Sequence, residues 1–255
     1  MEDRFLPGVP GEQIEAIYNA APGKEIESGK FDSPESSAAL AANTFGFFLN
    51  RPGDLPPLPS CGEAGWPATS LYVERQVRFP WSGGRHPWLD ALVVTPSALI
   101  GVESKRYEPF RMKKMSFSQT YLRPVWGDRM KGYEGIRDSL NSSKKSPVGL
   151  DKVQLVKHAL ALRTQVRSGS EFDGLKPILF YLYAEPETWP RDGKPVDEEA
   201  KVAHREEISR FAASVKGDEV RFVACSYREL LASWERSENP EIREHARAVK
   251  LRFSP

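Results

Sequence analysis

The chain has 255 residues, and its 36 Lys and Arg against 35 Asp and Glu leave a formal net charge of +1. With 40% hydrophobic and 28% charged residues it has a globular composition, which excludes wholesale disorder. No apolar run approaches the roughly 18 residues of a membrane-spanning helix, so no membrane partner is expected.

The opening, MEDRFLPGVPGEQ, has neither a basic n-region nor an apolar h-region. Cys61 and Cys225 lie far apart and form no metal-binding spacing. Both features point to a cytoplasmic protein with reduced thiols. The length suits a single domain over residues 1–255, with an N-terminal extension over about 1–34 and a loop insertion over about 51–69.

A short helix is predicted at Gly11–Ala20, with Ile14, Ile17 and Tyr18 at helical spacing. After the turn-like Pro22–Pro34, Ser33 or Ser36 caps a helix through Ser37–Asn50, whose alanines and Gly46 suit close packing on a sheet. Arg51–Thr69 carries five prolines and three glycines and reads as an ordered loop. Leu71–Phe79 alternates like a strand, with Leu71, Val73, Val77 and Phe79 on one side and Tyr72, Glu74, Gln76 and Arg78 on the other. Trp81–Trp88 connects onward, and His86 reads as a loop residue.

The stretch Trp88–Phe110 organises the rest. Two aliphatic runs flank Thr95-Pro96-Ser97, which suits the turn of a β-hairpin. Centring the turn on Pro96-Ser97 sets Asp90 directly opposite Glu103, with Cβ atoms roughly 5 Å apart. Lys105 follows two residues later on the same face. Leu92, Val94, Ile100 and Val102 supply the buried side. Like charges facing each other destabilise a sheet. A divalent cation removes that conflict, and two hard oxygen ligands, with water and phosphate oxygens completing the shell, suit Mg²⁺, with Mn²⁺ as a substitute. A solvated surface hairpin is the competing reading. Against it stands the cost of placing acids inside such apolar strands.

From Ser104 to Arg167 fifteen basic residues face five acidic ones, although the whole chain is nearly neutral. The block is either a phosphate-binding face, with Lys113, Lys114, Lys144 and Lys145 as its paired lysines, or a solvated cationic surface. Tyr107, Phe110, Phe117, Tyr121, Trp126 and Tyr133 interleave with it, either to stack on bases or as the small core of an excursion. The first part of Arg111–Gly149 lacks clear periodicity, and Asn141–Pro147 reads as a polar loop. Leu150–Val166 is the clearest helix, capped by Asp151, with Gln154, Lys157 and His158 projecting from it. A buried strand at Pro177–Tyr183, a helix at Glu198–Val215 and a strand at Val220–Cys225 follow. Ser226 caps Tyr227–Ser237, and a last helix covers Glu241–Lys250. The alternation favours an α/β fold. No P-loop, dinucleotide fingerprint or G-x-S-x-G is present.

Asp90 followed by Glu103-Ser104-Lys105 resembles the signature of the PD-(D/E)xK nuclease superfamily, with Leu89 where its name has proline. The segments SSAALAANTFGFF, GVESKRYEPF and Gln154-Leu-Val-Lys-His158 are similar to uncharacterised restriction-endonuclease-like proteins. The resemblance implies a restriction-endonuclease-like core, a central mixed β-sheet flanked by helices. It implies a Mg²⁺-dependent nuclease hydrolysing DNA phosphodiester bonds in a restriction- or defence-like role. Asp90 and Glu103 would be metal ligands, with Lys105 catalytic. It also suggests Glu35 as an extra acid from the first core helix, where the alternative is a charge at a helix N-terminus. Gln154 would face the site, unless it is ordinary helix-surface polarity. The competing functions are a non-cleaving nuclease-fold module that binds DNA or a protein partner, and an enzyme acting on a small phosphorylated ligand. Homodimerisation is left open.

Overall fold

The computed structural model describes residues 4–83, 85–111, 117–142, 149–169 and 171–255. Five strands form one mixed sheet in the order β1-β2-β3-β4-β5: Ser70–Gln76, Trp88–Val94, Ala98–Lys105, Lys176–Tyr183 and Arg221–Ser226. The first three pair antiparallel, and β3, β4 and β5 pair parallel. Parallel neighbours need crossovers, and helices supply them. α3 (Lys131–Ser142) and α4 (Lys152–Gln165) lie between β3 and β4, and α5 (Glu198–Ser214) between β4 and β5. α1 (Gly11–Ala20), α2 (Ser37–Gly46), α6 (Tyr227–Trp234) and α7 (Pro240–Phe253) complete the chain. This is the expected α/β architecture, compatible with a restriction-endonuclease-like core.

Two cores result. One joins Leu40, Phe45, Phe48, Val93, Ile100, Val102, Phe180 and Trp234 on the side of α1, α2, α6 and α7. The other joins Leu89, Leu92, Leu99, Tyr133, Leu160, Leu162 and Phe211 on the side of α3, α4 and α5. Leu92 therefore faces away from Ile100 and Val102, and the single apolar face expected of the hairpin is divided between the two cores. Gly46 receives Ile14: a Cβ there would lie 2.4 Å from the Ile14 side chain. The tight approach is thus to the N-terminal segment, while α2 also rests on β1, β2 and β3.

The caps follow local chemistry. Ser36 accepts from Ala39 N at 3.0 Å and Asp151 from Gln154 N at 2.8 Å. Ser226 and Glu229 form a reciprocal capping box. The second predicted helix ends at Gly46 rather than Asn50.

β1 departs most from expectation. Leu71 and Val73 enter the first core, but Val77 and Phe79 enter the second. Between them Glu74 has φ +45°, in the left-handed region that side chains rarely adopt. Its partner in register would be Asp90, and both are missing from an otherwise continuous ladder running from Ser70↔Val94 to Gln76↔Trp88. The same change of face occurs in β2, where Ala91 and Val93 belong to the first core and Leu89 to the second. No residue is inserted; the two strands turn over together at Glu74 and Asp90.

Candidate active site at the β2–β3 fork

The hairpin has the expected register, with Val94↔Leu99, Val93↔Ile100, Leu92↔Gly101 and Ala91↔Val102. The ladder stops there, one pair short of Asp90 and Glu103. Instead of facing a backbone partner, Asp90 takes the Ser104 amide: its Oδ2 accepts from Ser104 N at 2.7 Å. The carboxylate thereby satisfies a main-chain donor that the parted strands leave unpaired. No side chain or amide among the described residues donates to its Oδ1.

Glu103 is buried, with both oxygens engaged. Lys105 Nζ donates to Oε1, and His158 Nε2 from α4 lies 3.0 Å from Oε2. Lys105 thus emerges beside Glu103. Alternation along β3 sends Ser104 to the opposite face, where its hydroxyl meets Tyr227 Oη at 2.7 Å. Glu108, just past β3, accepts from Ser37 Oγ at 2.6 Å and Arg106 N at 2.8 Å. This ties the end of β3 to the start of α2.

A polar cavity of about 400 Å³ opens over the fork. Six carboxylates line it, from Glu25, Glu35, Glu74, Asp90, Glu103 and Glu108, against three cations, Lys30, Lys105 and Arg111. The electrostatics follow from burial first and from that imbalance second. Burial, then the Glu103 charge, pushes the Asp90 carboxyl well above the ordinary range, against the pull of Lys105. Burial, then Glu103 and Glu25, pushes Glu74 up to about 7. Burial works in the same direction on Glu103, but Lys105 and His158 together outweigh it and hold the group at about 2. Burial would lower Lys105, yet Glu103, Glu108 and Asp90 raise it, so its ammonium stays charged. The fork therefore combines a fixed carboxylate–ammonium pair with two acids that hold their protons unusually tightly.

Glu35 and Gln154 also line this cavity. Glu35 lies before the Ser36 cap and pairs with Arg111 at the rim. Glu74 and His158 are the contributors that sequence reasoning missed. Strand alternation set Glu74 among outward residues, and only its left-handed backbone turns it inward. For His158 a signal existed. It stands one helical turn after Gln154, on a helix whose apolar residues leave little solvent-facing surface.

Several cations of the basic block are held in structural contacts. Arg106 donates to Pro34 O and Phe253 O and is buried. Arg137 bonds Tyr121 O, Glu134 and Asp138, and Arg163 and Arg167 pair with Glu219. Phe117, Tyr121, Trp126 and Tyr133 fill the second core, as the excursion reading expects. Lys113, Lys114, Lys144 and Lys145 lie outside the described residues. His86 is a loop residue, its Nδ1 accepting from Phe79 N at 3.1 Å.

A family described as restriction endonuclease associating with ARP matches residues 13–250. The chain belongs to this family. No curated protein and no solved structure matches it. Membership supports a nuclease-like function. Among the described residues no helix is long and apolar enough to cross a membrane.

Proposed function

We propose that the chain is a metal-dependent nuclease of the PD-(D/E)xK kind, cutting phosphodiester bonds of DNA in a restriction- or defence-like role, with Asp90, Glu103 and Lys105 at its centre. The observation that carries this reading is the fork itself. At the point where β2 and β3 part, Asp90 keeps one oxygen unengaged, Glu103 is fixed from two sides, and Lys105 stands beside both. Acidic charge exceeds basic charge in the cavity above.

That donor set fits a hard divalent cation. Among the described residues no three His, Cys, Asp or Glu side chains converge as a self-sufficient metal cage. Two carboxylates with the rest of the shell left to water and phosphate is the Mg²⁺ pattern rather than the zinc or calcium one. Asp90 and Glu103 would hold the ion, Mg²⁺ or Mn²⁺, which would supply Lewis acidity toward a phosphate oxygen and a more acidic water. Lys105 keeps a full positive charge where negative charge develops on phosphorus. His158 holds the Glu103 carboxylate in place and Gln154 presents an amide to the cleft. A cytoplasmic location and a homodimer are consistent with this reading.

The second reading is a non-cleaving module that binds DNA or a protein partner. Its support is the family description, which names an association with ARP. Incubating the purified protein with supercoiled plasmid and Mg²⁺ or Mn²⁺ separates the two. The nuclease reading expects nicking that Asp90→Ala and Glu103→Ala abolish together with calorimetric metal binding. Lys105→Ala should bind metal and lose on the order of 10²-fold in rate. A wild-type protein that binds no divalent ion and cuts no nucleic acid leaves the binding module.

A further inference from the structure

Beside the catalytic cleft lies a second, smaller cavity of about 210 Å³, lined by Arg85, His86, Trp88, Tyr121, Gln154, Lys157 and His158, with Pro87. Trp88 and Gln154 line both cavities, so the two adjoin. The smaller one gathers hydrogen-bond donors and contains no carboxylate. Lys157 is half-buried, with its Nζ 4.9 Å from the Tyr121 ring centre and 5.9 Å from that of Phe117. Asp151 acts on it only at longer range, and neither it nor Arg85 forms an ion pair among the described residues.

His86 adds an independent sign. Its Nδ1 accepts the Phe79 amide, which places the proton of the neutral ring on Nε2. That Nε2 is buried and lacks any acceptor, on a side chain only 8% exposed. A buried N–H without a partner is costly, as is a cation enclosed by rings without a counter-ion. Burial accordingly depresses both the Lys157 and the His86 pKa. One anion accepting through several oxygens would satisfy Lys157 and His86, with the exposed Arg85 on the same wall to add a third contact.

We propose that this cavity seats a non-scissile phosphate of the substrate strand, held by Lys157, Arg85 and His86, while the adjoining fork takes the scissile one. The assignment rests on the nuclease reading, and it gives the strand a direction away from the fork, past Trp88 and Gln154, toward α4. Trp88, between the two phosphate seats, offers its ring to the intervening sugar or base.

The test uses Asp90→Asn protein with Mg²⁺. Asn is the isostere of the protonated Asp90 and can still accept the Ser104 amide, so this protein should fold, bind and not cut. Its affinity for a short labelled DNA duplex is measured by fluorescence anisotropy across a salt series. Adding Lys157→Met keeps the stem against Tyr121 but removes one phosphate contact. Affinity should fall about tenfold at about 50 mM salt, and the slope of log K against log salt should flatten by about 0.9. Lys157→Arg should restore the slope, and Lys216→Met, on an exposed lysine elsewhere, should leave it unchanged. Melting temperature serves as the folding control, because removing an unpaired charge does not destabilise. If the Asp90→Asn protein binds DNA and neither Lys157→Met nor Arg85→Ala alters affinity or slope, the cavity is not a phosphate seat and the nuclease reading stands. If the Asp90→Asn protein binds no DNA even at low salt, the nuclease reading falls and the seat with it.

Discussion

Replacing Glu74 by Gln should stabilise the metal-free protein, and only at elevated pH. In the fold the Glu74 carboxyl is pushed from 4.5 up to about 7, first by burial and then by the Glu103 and Glu25 charges. The folded protein therefore holds this proton more tightly than the unfolded chain does. The stability the group contributes is fully present below 4.5 and is lost as pH rises through about 7. The displacement corresponds to roughly 3 kcal/mol, reduced to about 1–2 kcal/mol by the solvent that still reaches this partly buried side chain. Glutamine keeps the shape and never ionises. Thermal melts in chelator should coincide for wild type and Glu74→Gln near pH 4.5. By about pH 9 they should separate, with the variant higher by about 2–8 °C, at about 2–4 °C per kcal/mol for a chain of this size. A variant that melts no higher at pH 9, or that is offset equally at every pH, would refute the cleft electrostatics described above.

The opposite dependence is expected at Glu103, whose carboxyl is held down at about 2. Glu103→Gln should cost about 3–5 kcal/mol in urea unfolding at neutral pH, because it strands the buried Lys105 ammonium. That penalty should shrink as pH falls below 4.5 toward about 2. Mg²⁺ affinity should weaken as pH falls, since Asp90 and Glu74 must release protons, and calorimetry in buffers of different ionisation heat should register that release. Gly132→Ala, in α3, should destabilise by about 1–3 kcal/mol, because its Cβ would lie 2.3 Å from Ser214 O and main chain must move; chemical denaturation measures it.

Much of the architecture was legible because local and tertiary signals agree. α1 occupies the predicted Gly11–Ala20, and α4 begins behind its Asp151 cap. The hairpin register followed from Pro96-Ser97 alone, since a turn fixes which residues face each other. α3 was not legible. Gly132 and Gly135 weaken its helical pattern, and Gly132 is present because α3 meets the end of α5 without room for a side chain. The turnover at Glu74 could not be read either. Periodicity assumes a regular backbone, and a residue at positive φ breaks that assumption. The candidate site was accordingly half visible: Asp90, Glu103 and Lys105 follow strand arithmetic, while Glu74 and His158 depend on a backbone kink and on how a distant helix is laid down. What the basic block does was not legible for a further reason. Counting charge along a sequence cannot distinguish a cation facing solvent from one, like Arg106, buried to hold two main-chain carbonyls.

How α4 is laid down comes back to Gly101. A Cβ there would meet Leu162 and Leu89 side chains at 2.8 Å, so Leu162 rests directly on bare strand backbone. One turn earlier in the helix, four residues and about 6 Å, comes His158. Two residues further along β3, about 6.6 Å, comes Glu103, its contact. A further step on each pairs Gln154 with Lys105, which share the cleft. Helix and strand thus run past each other like two scales of matching pitch, with Gly101 and Leu162 as the zero mark. The alignment of the polar groups is set by an apolar contact that touches none of them. A methyl group added at the zero mark would lift the helix and offset every later coincidence, leaving each polar side chain of the cleft present but out of step.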